Sequence, residues 1–156
     1  MSGKNFNIRT YTSGICCYED KYLLLRISKY YKICPGDWEW LSCSINIKNI
    51  SSPKEELLRS HIFYTLDLHT GLKGRILKVL PPHRWYDNEF NLTYILYPIF
   101  IKIGRPSIKL NSKKFVEYKW VKWEDILNFD RNNYLKDFLN HINQWRTKNW
   151  QITKKL

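Results

Sequence analysis

Four histidines, four cysteines and fourteen acidic residues are the groups of this chain that could hold a metal or move a proton. His61, His69, His83 and His141 are scattered. No His-x-x-x-His spacing sets two imidazoles on one helix face, as a helical zinc site needs. Cys16, Cys17, Cys34 and Cys43 contain no Cys-x-x-Cys pair. Cys16 and Cys17 would point to opposite faces of a strand, so the four read as buried thiols. There is no Gly-rich phosphate loop, and no Ser or Cys stands in a nucleophile elbow. Glu117, Glu124 and Asp125 lie near a late strand, where a turn cap and a solvated surface explain them. Glu55 and Glu56 open a helix, where carboxylates favour the positive end of its dipole.

The second chemical feature is charge. Lys and Arg outnumber Asp and Glu by 26 to 14, which gives net +12 and a pI near 9.6. Such a surplus favours a polyanionic partner. One basic stretch holds Lys102, Arg105, Lys109, Lys113 and Lys114 with no acid among them. The tail from Trp145 interleaves Arg146, Lys148, Lys154 and Lys155 with Trp150. A looser group is Lys29 and Lys32 around Tyr30 and Tyr31, with Arg84 beside Trp85 and Tyr86. Cations neutralise phosphates, and exposed aromatic rings stack on unpaired bases.

Positioning these groups requires a core. A hydrophobic fraction of 44% over 156 residues is enough for one globular domain and excludes a disordered chain. No alanine is present, so helices rely on Leu, Lys and Glu for propensity. No segment reaches ~18 uninterrupted apolar residues and the first residues lack an apolar leader core, so the chain reads as soluble and cytoplasmic.

Apolar runs at Ser13 to Tyr18 and Tyr22 to Ile27, joined by Glu19-Asp20-Lys21, read as a hairpin. A turn follows at Tyr30 to Gly36, marked by Pro35-Gly36. Extended structure resumes at Trp38 and continues through Ile47. Ser51-Ser52-Pro53-Lys54-Glu55-Glu56 predicts a helix start with a serine cap, and Gly71 its stop. Leu58, Ile62, Leu66 and Leu68 form its apolar side. Further strands are predicted at Lys73 to Leu80, Leu92 to Ile103 and Phe115 to Lys122. A polar loop lies between Pro81 and Asn91, and a basic loop between Gly104 and Lys114. A short helix begins at Trp123, and a last helix spans Asn133 to Trp145 with Leu135, Phe138, Leu139 and Ile142 as its buried stripe.

Four stretches in this order resemble the Nudix hydrolase family over about Ser13 to Trp145. They are SGICCYEDKYLLLRIS, GDWEWLSCSI, SPKEELLRSHIFYTLDLHTGL and EYKWVKWEDIL. The resemblance implies an α/β fold, a Nudix-like α/β/α sandwich around a mixed central sheet. A single domain of this kind is expected over residues 1–145, with 146–156 as a basic C-terminal tail. The family motif runs Gly-x5-Glu-x7-Arg-Glu-U-x-Glu-Glu-x-Gly-U, U being aliphatic, and its glutamates hold divalent cations that activate water. Anchored on Gly71-Leu72, the motif puts Tyr64-Thr65 at its Arg-Glu pair and Leu68-His69 at its Glu-Glu pair. Glu56 keeps the first glutamate and Ile50 replaces the glycine. The usual Pro-Gly-Gly turn has become Leu41-Ser42-Cys43.

One acidic position of four survives, which predicts a domain without catalytic residues, metal or cofactor. Together with the charge it predicts a catalytically inactive RNA-binding protein, a ribosomal or other ribonucleoprotein component bound to rRNA and its neighbouring proteins. The expected RNA contacts are Lys29, Lys32, Arg84, Lys102, Arg105, Lys109, Lys113, Lys114, Arg146, Lys148, Trp150, Lys154 and Lys155. No membrane and no obligate small-molecule substrate is expected. The alternative is a divergent Nudix hydrolase of nucleoside diphosphate derivatives or RNA 5′ ends, using acids outside the motif.

Overall fold

The apolar runs on either side of Glu19-Asp20 do form a hairpin. In a computed structural model that describes residues 8–46, 53–131 and 134–145, β1 (Ile8–Tyr18) returns as β2 (Lys21–Ile27), with Cys17 opposite Tyr22. β1 begins five residues before the predicted Ser13 because it also runs parallel to β7 (Leu92–Ile103), in register from Ile8 with Thr93 to Cys17 with Lys102. Thr12 in this extension, and Ser13 after it, are buried and paired. Ser13 Oγ lies 2.9 Å from Ser42 Oγ, and Thr12 Oγ1 lies 2.6 Å from His61 Nδ1.

β3 (Trp38–Glu39) pairs antiparallel with β2, and β4 (Leu41–Ser44) pairs antiparallel with β1. β5 (Gly74–Val79) and β6 (His83–Asp87) both pair antiparallel with β7, and β8 (Phe115–Lys122) pairs antiparallel with β2. The described residues thus form one eight-stranded mixed sheet, its longest path being β3-β2-β1-β7-β5. β6 falls in the stretch predicted as a polar loop. His83-Arg84-Trp85-Tyr86-Asp87 alternates half-buried and exposed positions, and its pairing with the long β7 decides its conformation.

Strand alternation divides the core between two faces. Cys16, Leu23, Leu25, Ile99 and Ile101 pack with Leu58, Ile62 and Leu66 of α1 (Glu55–Thr70). Cys17, Tyr22, Leu24, Leu96 and Phe100 pack with Leu135, Phe138 and Ile142 of α2 (Tyr134–Trp145). The result is an α/β/α sandwich.

The helix ends differ in part from expectation. Lys54 is the N-cap of α1 and makes no side-chain capping bond, while the expected serine cap at 51 and 52 lies outside the described residues. Gly71 does end α1, with φ 69° and its N–H donating to Asp67 O at 2.9 Å. A 3-10 helix, Trp123–Phe129, follows β8, and Asp130 then caps the start of α2. Its two carboxylate oxygens accept from the Leu135 and Lys136 N–H groups at 3.1 and 3.3 Å. Among the described residues no helix is long and apolar enough to cross a membrane.

Candidate active site

The end of β2 ties together two segments that are distant in sequence. Ile27 N–H donates to Asp37 O at 2.8 Å, and Ser28 N–H donates to Lys114 O at 2.7 Å. β3 therefore starts beside the residue that precedes β8. Glu39 pairs with Leu25 of β2 and, with Trp38 before it, lines one cleft. Glu39 and Lys114 meet there. Lys114 Nζ lies 3.6 Å from Glu39 Oε1, with side-chain exposures of only 13% and 12%. The same ammonium donates to Ser42 O at 2.6 Å.

The pair borders an open cleft on the face of the sheet that carries Tyr11, Trp85 and Tyr94. Its walls are aromatic: Trp85 lies 5.3 Å from Tyr94 and 5.5 Å from Tyr134, and Tyr11 lies 5.7 Å from Tyr94, between ring centroids. Asp37, ion-paired with Arg131 at 3.2 Å, lines the same cleft. Two buried oxygens on its wall, Glu39 Oε1 and the Tyr94 hydroxyl, have no hydrogen-bond partner.

Burial pushes the Glu39 carboxyl up to about 7, outweighing the attraction of Lys114. Burial also raises Asp37, against the pull of Arg131. For Lys114 burial opposes the charge, but Glu39 and then Cys43 more than offset it, and the ammonium stays above the ordinary lysine range. The Cys34 thiol at the cleft is pushed up to about 12, chiefly by burial, and is no nucleophile at neutral pH.

The motif positions on α1 lie near this pair. Thr65 is buried and its hydroxyl donates to Ile62 O at 3.1 Å. Leu68 is 41% exposed and carries no ligand atom. His69 stacks edge-on to Phe115 at 5.3 Å, and burial followed by the Lys114 charge lowers its pKa. Glu56 is exposed in the first turn. Magnesium requires an array of hard oxygens, and a leucine, an imidazole and a committed hydroxyl do not fit it. Among the described residues no group of three or more His, Cys, Asp or Glu is placed to hold a metal ion.

The expected RNA contacts are placed differently from one another. Lys29, Lys32, Arg84, Lys102, Arg105, Lys109 and Lys113 are exposed. Arg84 pairs with Ile95, seven residues along β7 from Lys102, so the two stand roughly 23 Å apart at 3.3 Å per residue. Lys114 is enclosed, held by Glu39 and Ser42. Arg146, Lys148, Trp150, Lys154 and Lys155 lie outside the described residues. Sequence reasoning passed over Glu39 and Asp37. The available signal was a carboxylate set between two tryptophans, an unusual place for a charge in an apolar extended segment.

No family model and no curated protein matches the chain. Solved structures do. A MutT protein from Methanosarcina mazei Go1 matches with TM-score 0.68 at 19% identity, covering 90% of this chain and 96% of that one. The chain has the Nudix fold. The Nudix domain of Shewanella oneidensis NrtR, complexed with ADP ribose, matches with TM-score 0.63 at 15% identity, covering 95% and 93%. A C. elegans Ap4A hydrolase matches with TM-score 0.61 at 10% identity, covering 88% and 98%. Neighbours with this fold include a hydrolase by name, and on that finding the expectation of a catalytically inactive, ribosome-associated RNA-binding protein is corrected. The expectation of a non-enzyme is corrected with it. Both rested on the emptied motif, whereas an ionisable pair, absent from the motif, lines the cleft of this Nudix fold.

Proposed function

We propose that this chain is a divergent Nudix-fold hydrolase of nucleoside diphosphate derivatives. Its chemistry is centred on Glu39 and not on the motif face of α1, which has lost its metal ligands. The observation that carries the reading is Glu39 Oε1, a buried carboxylate oxygen without a hydrogen-bond partner, on the wall of an aromatic cleft. A carboxyl titrating near 7 is matched to proton transfer at neutral pH. Support for the ligand class comes from the ADP ribose in the NrtR Nudix domain and from the aromatic rings that could stack a base.

The step balances without a further reactant. Glu39, ionised, takes a proton from a water molecule as the water oxygen bonds to phosphorus. The bridging P–O bond breaks, and its electron pair leaves with the departing phosphate, which is stable as an anion. Lys114 offsets the charge that grows on the phosphoryl oxygens. Trp85, Tyr94 and Tyr11 line the cleft and exclude bulk water from one side.

The test is turnover by the wild-type protein across ADP-ribose, dinucleoside polyphosphates and nucleoside triphosphates, with products identified by chromatography. Release of a nucleoside monophosphate from ADP-ribose is expected. A folded protein that turns over no member of the panel would refute the assignment.

A further inference from the structure

The fold brings a fixed positive charge to the region where the Nudix motif, by resemblance, would gather divalent cations. Lys114 Nζ lies 5.1 Å from the centroid of the Phe115 ring, and His69, at a motif carboxylate position, stacks on the same ring. The ammonium donates to the carbonyl of Ser42, the residue before Cys43. Tyr31 and Tyr11 present their rings to it at 5.4 and 6.0 Å, and both line the cleft. Lys114 thus reaches from the vestigial motif face to the ligand cleft.

Its surroundings are those of a cation site. A carboxylate, a carbonyl and three aromatic faces bear on one ammonium, all of them favourable to positive charge. Of its three N–H groups, Ser42 O takes one at 2.6 Å, and Glu39 at 3.6 Å is beyond hydrogen-bond range. N–H capacity remains for a phosphate oxygen entering from the cleft. Ser28 fixes the Lys114 backbone, so its position does not depend on the ligand.

We infer that the Lys114 ammonium replaces the divalent cation at this site and holds the diphosphate of the ligand, so that binding is independent of magnesium. This rests on the hydrolase reading above but is separable from it, because a hydrolase centred on Glu39 could still need metal to bind its substrate.

The experiment is calorimetric titration of α,β-methylene-ADP-ribose, whose bridging P–C bonds are not hydrolysed, into the full chain, once in EDTA and once in millimolar magnesium. Dissociation constants within about twofold of each other are expected. Lys114→Met should weaken binding roughly 10- to 100-fold, the loss of a charge-assisted hydrogen bond, and Lys114→Arg should restore most of it. A readout without loss of charge is the ¹⁵N ammonium resonance of Lys114, assigned by its disappearance in Lys114→Arg, which should shift when α,β-methylene-ADP-ribose is added to wild type. Binding only with magnesium, full affinity in Lys114→Met or an unmoved Lys114 resonance each overturns the inference and leaves the hydrolase assignment standing. Absence of both binding and turnover in either buffer overturns both.

Discussion

Glu39→Gln separates the cost of burying a charge from every other effect of pH. In the fold the carboxyl titrates near 7, against 4.5 for an ordinary glutamate, because burial outweighs the pull of Lys114. A folded pKa raised above the unfolded value means that the native state holds its proton more tightly. Its stabilising contribution is therefore complete below about 4.5 and is lost as pH rises through about 7. At 1.36 kcal/mol for each tenfold change, the gap is worth roughly 3 kcal/mol. Glutamine has nearly the same shape and does not titrate. Urea unfolding of wild type and Glu39→Gln from pH 4 to 8 should show their stability difference moving by about 3 kcal/mol against wild type, levelling above pH 7. Any pH-independent offset between the two proteins cancels in this comparison, whereas the attraction of Lys114, present only when Glu39 is ionised, is already contained in the raised pKa. A difference that stays flat, or that moves in favour of wild type as pH rises, would refute the reasoning. The second outcome would mean that Lys114 outweighs burial.

Other perturbations test the frame and the chemistry. A Cβ on Gly74 would lie 2.6 Å from Ile101 Cγ2 and 2.8 Å from the Lys102 backbone oxygen, so Gly74→Ala should lower stability by roughly 1–3 kcal/mol. Gly71→Ala meets no atom within 4 Å but sits at φ 69°, and should cost about 1 kcal/mol in the same urea assay; the reverse order would count against this packing. Ile62, fully buried where α1 meets the sheet, should lose roughly 2–5 kcal/mol as Ala, and a loss below 1 kcal/mol would place the helix elsewhere. Because Glu39 must be ionised to accept a proton, kcat/KM for ADP-ribose should rise through about pH 7 and then level. A rate already maximal at pH 5 would remove Glu39 from the step.

Much of the frame was legible because it rests on local pattern. Leu92–Ile103 and Phe115–Lys122 have the bounds that their β-branched and aromatic runs suggest. Gly71 stops α1 through a left-handed conformation that glycine adopts easily. β6 was missed because its conformation comes from pairing with β7 and not from its own composition. The site was least legible. Glu39 and Lys114 are 75 positions apart, and the pairing of β3 and β8 along β2, closed by the backbone bonds at its end, brings them together. Read linearly, Lys114 looks like one more cation in a basic loop. Motif reasoning also directed attention to α1, where the absent glutamates argued for lost chemistry, although the cleft carries other ionisable groups.

The decisive comparison is the initial rate of ADP-ribose hydrolysis by wild type, Glu39→Gln and Glu56→Gln, each verified as folded. Glu39 serves as the base in the proposed step, and Glu56 is an exposed remnant in the first turn of α1. Glu39→Gln should lose roughly 100- to 10,000-fold in rate, the usual worth of a positioned base, while Glu56→Gln stays within about twofold of wild type. Loss of turnover in Glu56→Gln with turnover kept in Glu39→Gln would return the chemistry to the motif face and contradict the assignment of the cleft.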